Sequence, residues 1–473
     1  MQTQCRQQTF GFQALGSRSV VAAFDGGTIT SDAGLLLLRE LEDKRRILRT
    51  FASAFRDHRD PALIEHSVDE LLAQRVFAIC CGYEDLNDHD FLAADPVLAT
   101  ASGKTDPTGQ TRRRARDRGK AGASRSTLNR LELRSGDPIK DGVYKKIEVR
   151  GDEVDEAFVR VFLSAHREVP EVIILDLDAT DDRIHGNQEG RFFHGYYGDY
   201  CYLPLYIFSD DFLLCARLRR SNIDASAGAK DEVERIVSQI RKRFPKVIIV
   251  LRADSGFARE ELMAWCESQT DVHYLFGLAK NTRLLAQIEA ELAEAEAEST
   301  TSGTPARRFK ELRYRTLDTW SCERRVVAKA EHLEKGANPR FVVTSMPATE
   351  IEARELYEEM YCARGEMENR IKETQLDLFS DRTSAATMKA NQVRLWLSSM
   401  AYVVMNEVRR VGLAGTAFEE STCGSIRLKL VKIGARVRVS VRRVAVSMAS
   451  SYPYQALFAH VYERLRHLEP VPV

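Results

Sequence analysis

Three observations predict a mixed α/β protein. Strands of buried character alternate with amphipathic helices from about residue 171 to 280, a helix-rich stretch precedes them, and a basic tail with partial strand patterning closes the chain.

Taken in order, VVAAFDGGTIT reads as a short strand. SDAGLLLLRELEDKRRIL reads as a helix capped at Ser31/Asp32, with apolar residues spaced by three and four. SVDELLAQRVFAICCGY and LNDHDFLAADPVLATAS continue that pattern, so residues 1–165 are expected to be mostly helical. Within them, 103–126 lose apolar periodicity. GKTDPTGQTRRRARDRGKAGASRS is expected to be a mobile loop, in which Asp117 alone interrupts Arg112, Arg113, Arg114, Arg116, Arg118 and Lys120. Unopposed cations of that kind suit a nucleic-acid contact or, as readily, a solubilising surface.

Residues 166–280 form the α/β block. EVIILDLDAT is a buried strand ending in carboxylates, and YCYLPLYIFSD and FLLCARLR are two more, antiparallel across a tight turn at 209–211. The helix DASAGAKDEVERIVSQIRKRF, the strand KVIIVLRAD, the helix AREELMAWCESQ and the strand VHYLFGLA follow. Residues 281–347 read as a mostly β insertion: an acidic helical run, IEAELAEAEAE, then strand-like KELRYRTL, RRVVAKAEHL and RFVVTSM. Residues 348–380 carry a further helix. From 381 to 473 a long apolar packing helix precedes a tail with basic residues at 427, 429, 432, 436, 438, 442 and 443 and no acid among them.

Composition excludes several classes. Lys plus Arg number 69, as do Asp plus Glu, so overall charge points to no polyanionic partner, although a neutral sum can hide local patches. The nine cysteines include no CxxC pair, which argues against a zinc ribbon or a disulfide scaffold. No apolar run is long enough for a bilayer and the N-terminus lacks signal-peptide features, so a soluble cytoplasmic protein with no membrane partner is expected.

The chemistry concentrates in three places. On an α-helix at about 100° per residue, Tyr361, Arg364, Glu368 and Lys372 of YCARGEMENRIKE share an arc of roughly 80°. Such a face can hold a phosphodiester beside a divalent metal, with Arg and Lys on phosphate and Glu on the ion. Gly365 lies near that arc and would admit a backbone, while Leu356, Met360, Ala363, Met367 and Ile371 form a separate apolar stripe. A solvated face with spaced ion pairs is the bland alternative. Asp178 and Asp254 each end a buried strand. If those strands are neighbours and the helix packs beside them, three carboxylates converge, and such crowding is favourable only with cations present. Oxygen ligands without His or Cys select Mg²⁺ or Mn²⁺ over zinc, and two ions roughly 3.5 to 4 Å apart can activate a nucleophile and stabilise a leaving oxygen. Asp176 faces the same side as Asp178, and strand geometry alone does not separate them.

The blocks DLDATDD, IHGNQEGRFFHGYYGDYCYLPLYIF, LRADSGFARE and YCARGEMENRIKE, in that order, resemble the DDE transposases of bacterial insertion sequences, in particular the IS1380 group related to the IS4 families. The likeness runs from GGTITSDAGLLLLRE to the basic tail. It implies a ribonuclease H-like catalytic core interrupted by the β insertion, with a helical N-terminal DNA-binding region and a helical, basic C-terminal region. It also implies cleavage and strand transfer at terminal inverted repeats, two Mg²⁺ ions (Mn²⁺ substituting) on Asp178, Asp254 and Glu368, and a dimer on double-stranded DNA. Asp178 is favoured over Asp176 because it precedes Ala-Thr, as in the related families. Tyr361, Arg364 and Lys372 would hold phosphates, with Arg112, Arg113, Arg114 and Arg116 as further DNA contacts. One departure stands out: the family's final Lys is Gln375 here, leaving Lys372 as the available substitute.

Two rival readings exist. Asp176-Leu-Asp178-Ala-Thr180 has the DxDxT form of haloacid-dehalogenase-type phosphatases, a fold in which the strand should lead into a helical crossover. The other is a domesticated DNA-binding protein without catalysis. His185, His194 and Gly195 follow the first carboxylate strand and could shape a site or only a loop, Trp320 is expected to be buried, and the Glu-rich run near 293 a solvated face.

Overall fold

The computed structural model describes residues 8–132 and 147–470. They form two compact units, one built from 8–132, 147–148 and 400–470, the other from 149–399. Among the described residues no helix is long and apolar enough to cross a membrane.

The second unit is organised on a nine-stranded mixed sheet. Across it run Phe212–Arg217, Leu205–Ser209, Val172–Ala179, Ile248–Ala253, Val272–Leu278, Arg340–Thr344, Arg324–Leu333 and Ala306–Tyr314, with Gly336–Ala337 paired to Arg324–Leu333. The three central strands are parallel because helices make their connections: Ala229–Arg243 precedes Ile248–Ala253, and Glu260–Ser268 precedes Val272–Leu278. Leu205–Ser209 and Phe212–Arg217 form the expected hairpin, turning through Asp210 at φ 49, a left-handed value that aspartate tolerates better than most residues. KELRYRTL, RRVVAKAEHL and RFVVTSM do become strands, and they lengthen this same sheet outward from Val272–Leu278.

Strand alternation assigns the two faces. Leu175, Leu177, Ile249, Leu251, Tyr274 and Phe276 turn to one side and pack against Val233, Ile236, Ile240, Leu262 and Met263 of the crossover helices. Ile174, Val250 and Leu275 turn to the other, against Leu356, Tyr357 and Met360. Since residues two apart share a face, Asp176, Asp178, Arg252, Asp254 and Gly277 belong to that second side.

In the first unit, Val68–Cys80 begins at a Ser67/Glu70 capping box. The preceding helix departs from expectation. It runs Leu35–Arg45 from Gly34, without the Ser31/Asp32 cap, and is interrupted at Arg46 (φ 52) before Ile47–Ala52. Asp32 cannot serve as the cap because its buried carboxylate is taken by Lys432 Nζ (2.7 Å) and the Tyr83 hydroxyl (2.9 Å). Gly34 donates its N–H to the Val431 carbonyl (3.1 Å), and any side chain there would collide with the Leu430 carbonyl. The tail alternates as anticipated: in Ala435–Ser440, paired to Arg443–Met448, Ala435 and Val437 point inward while Arg436 and Arg438 are exposed. The long apolar helix after residue 381 forms at Met388–Glu407.

Candidate active site

The parallel register pairs Asp176 with Arg252 and Leu177 with Ala253. One step further along both strands stand Asp178 and Asp254, so neighbouring strands end in two aspartates on one face. Asp254 begins the turn Ser255–Phe257, with Oδ1 accepting from the Gly256 N–H (2.8 Å). Asp178 is mostly enclosed. Burial pushes its carboxyl up to about 6, Arg364 opposes that, and the negative charges of Asp254 and Glu368 add to it.

Glu368 arrives on a helical segment less regular than expected. In place of one α-helix, wide π turns span Leu356–Tyr361, a tight 3₁₀ turn spans Cys362–Arg364, and regular α geometry holds only over Gly365–Lys372 before widening again at Glu373–Asp377. The equal angular spacing assumed for Tyr361 to Lys372 therefore fails at its N-terminal end. A local cause is visible: the Arg252 guanidinium donates to the Met360 carbonyl from the sheet. The apolar stripe still works as an anchor, with Leu356, Met367 and Ile371 buried and Met360 and Ala363 partly so.

Arg364 lies among the acids. Its Nη2 donates to Glu368 Oε1 at 2.7 Å, and its Nη1 is 4.0 Å from Asp178 Oδ1. Tyr361 is half-buried, and burial and Asp254 raise its hydroxyl pKa against the pull of Arg364. Gly277 makes room for it, since a Cβ there would come within 2.6 Å of the Tyr361 hydroxyl. Gly365, expected to admit a backbone, has open space where a side chain would begin. Lys372 is exposed and makes no ion pair among the described residues. Gln375 donates to the Asp181 carbonyl (3.2 Å), tying the end of the segment to the loop after Asp178.

The surroundings of Asp176 and Asp178 differ sharply. Asp176 is buried in a two-point ion pair with Arg252, Nε to Oδ1 at 2.5 Å and Nη2 to Oδ2 at 2.7 Å. Arg252 thus joins two strands to the helical segment. Sequence reasoning passed over it, although an arginine in the apolar run VIIVLRA was the signal. Gly277, a glycine inside the strand VHYLFGLA, was a second.

Asp178, Asp254 and Glu368 act on one another electrostatically, but among the described residues no group of three His, Cys, Asp or Glu closes to metal-holding distance. The Arg364 guanidinium, against two of these carboxylates, fills part of the need for positive charge. An oxygen-only donor set of three acids fits a hard divalent cation and not zinc.

The family model described as Transposase DDE domain group 1 matches residues 12–470. The chain belongs to that family. It is a DDE transposase, a DNA-cleaving enzyme of a family that works with divalent metal ions. No curated protein matches it. Among solved structures, the cryo-EM piggyBac transposase synaptic complex with hairpin DNA is similar at a TM-score of 0.41 and 10% identity, over 94% of this chain and 86% of that one, a likeness too distant to carry weight here. Neither a phosphatase nor a non-catalytic binding protein is favoured. The strand bearing DxDxT in the transposase leads through a small antiparallel sheet, Asp182–Arg183, Phe192–His194 and Asp199–Tyr202, to an antiparallel neighbour rather than into a helical crossover, and Asp176, the would-be nucleophile, is held by Arg252.

The basic loop of the transposase is tied down, contrary to the mobile loop expected. Asp106 accepts from the N–H and hydroxyl groups of Thr108 and Thr111. Arg112 donates to the carbonyls of Lys120 (3.0 Å) and Gly122 (3.2 Å) and pairs with Glu65, while Arg113 donates to the Ala62 carbonyl. Arg114 and Arg116 are exposed. All four border a cleft of about 780 Å³ that Arg59, Lys120 and Arg130 also line. In the tail, Arg427, Lys429 and Lys432 are engaged internally, leaving Arg436, Arg438, Arg442 and Arg443 exposed. Trp320 is buried, with Arg324 over its ring. His194 packs against Tyr197, whose hydroxyl donates to the Ala179 carbonyl beside Asp178.

Proposed function

We propose that the transposase cuts and rejoins DNA at the terminal inverted repeats of its own insertion sequence, of the IS1380 group, using Asp178, Asp254 and Glu368 as metal ligands. The observation that carries this reading is the register that ends two adjacent parallel strands in Asp178 and Asp254 on the face where the Glu368 helix packs. The sheet order, three central parallel strands flanked by an antiparallel hairpin, supports a ribonuclease H-like core. Two Mg²⁺ ions, with Mn²⁺ as substitute, would supply a lowered water pKa and charge stabilisation of the in-line displacement.

The chain's own residues do the rest. Asp178 is favoured over Asp176 because it is not committed to an arginine partner at bonding distance. Arg364 offers a planar fork to a phosphate, and Tyr361, held against Gly277, can donate its hydroxyl to a neighbouring one. Lys372, exposed on the last turn of the same helix, would reach a phosphate farther from the carboxylates. Arg114 and Arg116, with Arg112 and Arg113 framing their cleft, and the exposed tail arginines would attract the duplex without reading its sequence. Two ends must be joined, so a dimer on double-stranded DNA is the working form, in the cytoplasm at the nucleoid.

The test is cleavage of a duplex spanning the junction between the element and its flank. With Mg²⁺ or Mn²⁺ the full chain should nick at the element boundary, and Asp178→Asn should not. A duplex that is bound but left intact under both cations sinks the proposal, as would loss of cleavage in Asp176→Asn with retention in Asp178→Asn.

A further inference from the structure

Arg364 occupies a contested position. Its guanidinium bonds Glu368 Oε1 at 2.7 Å and stands 4.0 Å from Asp178 Oδ1, two of the three carboxylates to which a divalent cation is assigned above. The side chain is about four-fifths enclosed, with Tyr361 as a further neighbour, so the arrangement is not a loose surface pair. It lies inside a continuous helical segment, so no helix end supplies a charge of its own at Arg364. The acids hold it there.

We propose that Arg364 is a built-in counter-ion, keeping the carboxylate cluster poor in metal until a DNA phosphate draws the guanidinium away, so that DNA and divalent cation load together. The inference rests on the metal-site reading and adds an order of events to it. A cation on Asp178 and Glu368 takes the Glu368 oxygen that Arg364 is using and repels the guanidinium at close range. A phosphodiester competes for the same fork of donors, since planar guanidinium suits phosphate as well as carboxylate. Each ligand removes an obstacle to the other, and the thermodynamic linkage is reciprocal: DNA tightens metal binding by the factor by which metal tightens DNA binding.

Titration calorimetry of Mn²⁺ into the full chain, with and without a duplex carrying the element end, tests this without reference to cleavage. Wild-type protein should bind Mn²⁺ weakly alone and on the order of tenfold more tightly with the duplex. Arg364→Gln should bind Mn²⁺ tightly without DNA, by the same order, and gain little from it. Arg364→Lys, which keeps the charge, should stay weak alone. The counter-ion role is overturned if wild-type affinity is the same with and without DNA, if Arg364→Gln binds no more tightly than wild type, or if Arg364→Lys behaves as Arg364→Gln does. Asp178→Asn separates the two levels: Mn²⁺ binding that survives it unchanged overturns the metal site itself, whereas its loss beside an unaltered Arg364→Gln overturns only the counter-ion.

Discussion

In the sheet-bearing unit burial raises the pKa of several carboxyls, whereas in the other unit it lowers that of two histidines. Burial pushes Asp155 up to about 7 and Asp178 up to about 6, and raises Asp176 and Asp182 as well. His66 and His89 are instead pushed down to about 3, by burial and then by nearby cations, Lys104, Arg112 and Arg59 around His66 and Arg75 near His89. The same unit shows Arg436, Arg438, Arg442 and Arg443 to solvent. One unit gathers carboxyls at its strand ends with Arg252 and Arg364 beside them; the other holds two buried histidines neutral and shows arginines outside. On the function proposed above, that contrast suits a division between catalysis on a phosphodiester and attraction of the polyanion carrying it.

The largest effect should come from the carboxylates at the proposed site. Asp254→Asn or Glu368→Gln is expected to lower cleavage of the element end by roughly 10³-fold or more, with the far-ultraviolet dichroism of the fold retained; near-normal cleavage in either variant would remove that residue from the site. Next is the clamp. Arg252→Ala leaves Asp176 buried without its partner and should destabilise the sheet-bearing unit by about 3–5 kcal/mol, read by urea unfolding. The double variant Arg252→Met/Asp176→Leu should recover most of that loss, and failure to recover would show that the Met360 carbonyl, not the ion pair, is the essential contact.

Acidity should act with opposite sign on the segment around His66 and His89 and on the strand that carries Asp178. A histidine whose folded pKa is depressed contributes stability that is present above about 6.5 and lost as pH falls toward 3. Between pH 6.5 and 5 the loss is about 2 kcal/mol for each of His66 and His89. Raised carboxyls behave in reverse: the contribution of Asp155 and Asp178 is complete below about 4 and is lost as pH rises through 6 to 7. Hydrogen exchange at pH 7 and pH 5 should therefore show weaker protection of Val68–Cys80 at the lower pH and stronger protection of Val172–Ala179. A common sign in both would break the comparison. The smallest effect belongs to the exposed arginines. Replacing Arg436, Arg438, Arg442 and Arg443 with Gln should change stability by no more than about 0.5 kcal/mol, yet flatten the salt dependence of duplex binding by roughly 0.9 in log–log slope for each phosphate no longer neutralised.

Much of this was legible in the chain because the relevant patterns are local. Buried strands such as VIILDLDA and IIVLRA, the amphipathic crossovers and the tail's alternation are all written in residues a few positions apart, and so is the placement of Asp178 and Asp254 at strand ends. What escaped depends on distant partners. The Ser31/Asp32 cap failed because Lys432, four hundred residues on, claims the carboxylate. The loop thought mobile is fixed by Glu65 and by its own carbonyls. The uneven winding at Tyr361 answers to Arg252 in a strand, and no helical wheel contains that information. Gly277, inside the strand Val272–Leu278, is the space that Tyr361 needs, and that neighbour lies far along the chain.

The path of the chain through the sheet also has a temporal side. Between Asp254 and Glu368 the polypeptide builds Ala306–Tyr314, Arg324–Leu333 and Arg340–Thr344, all beyond the central strands. A chain emerging from the ribosome therefore displays both aspartates well before the glutamate exists. On the function proposed above, a fragment that ends anywhere before Glu368 lacks the third ligand and is expected to be unable to cut.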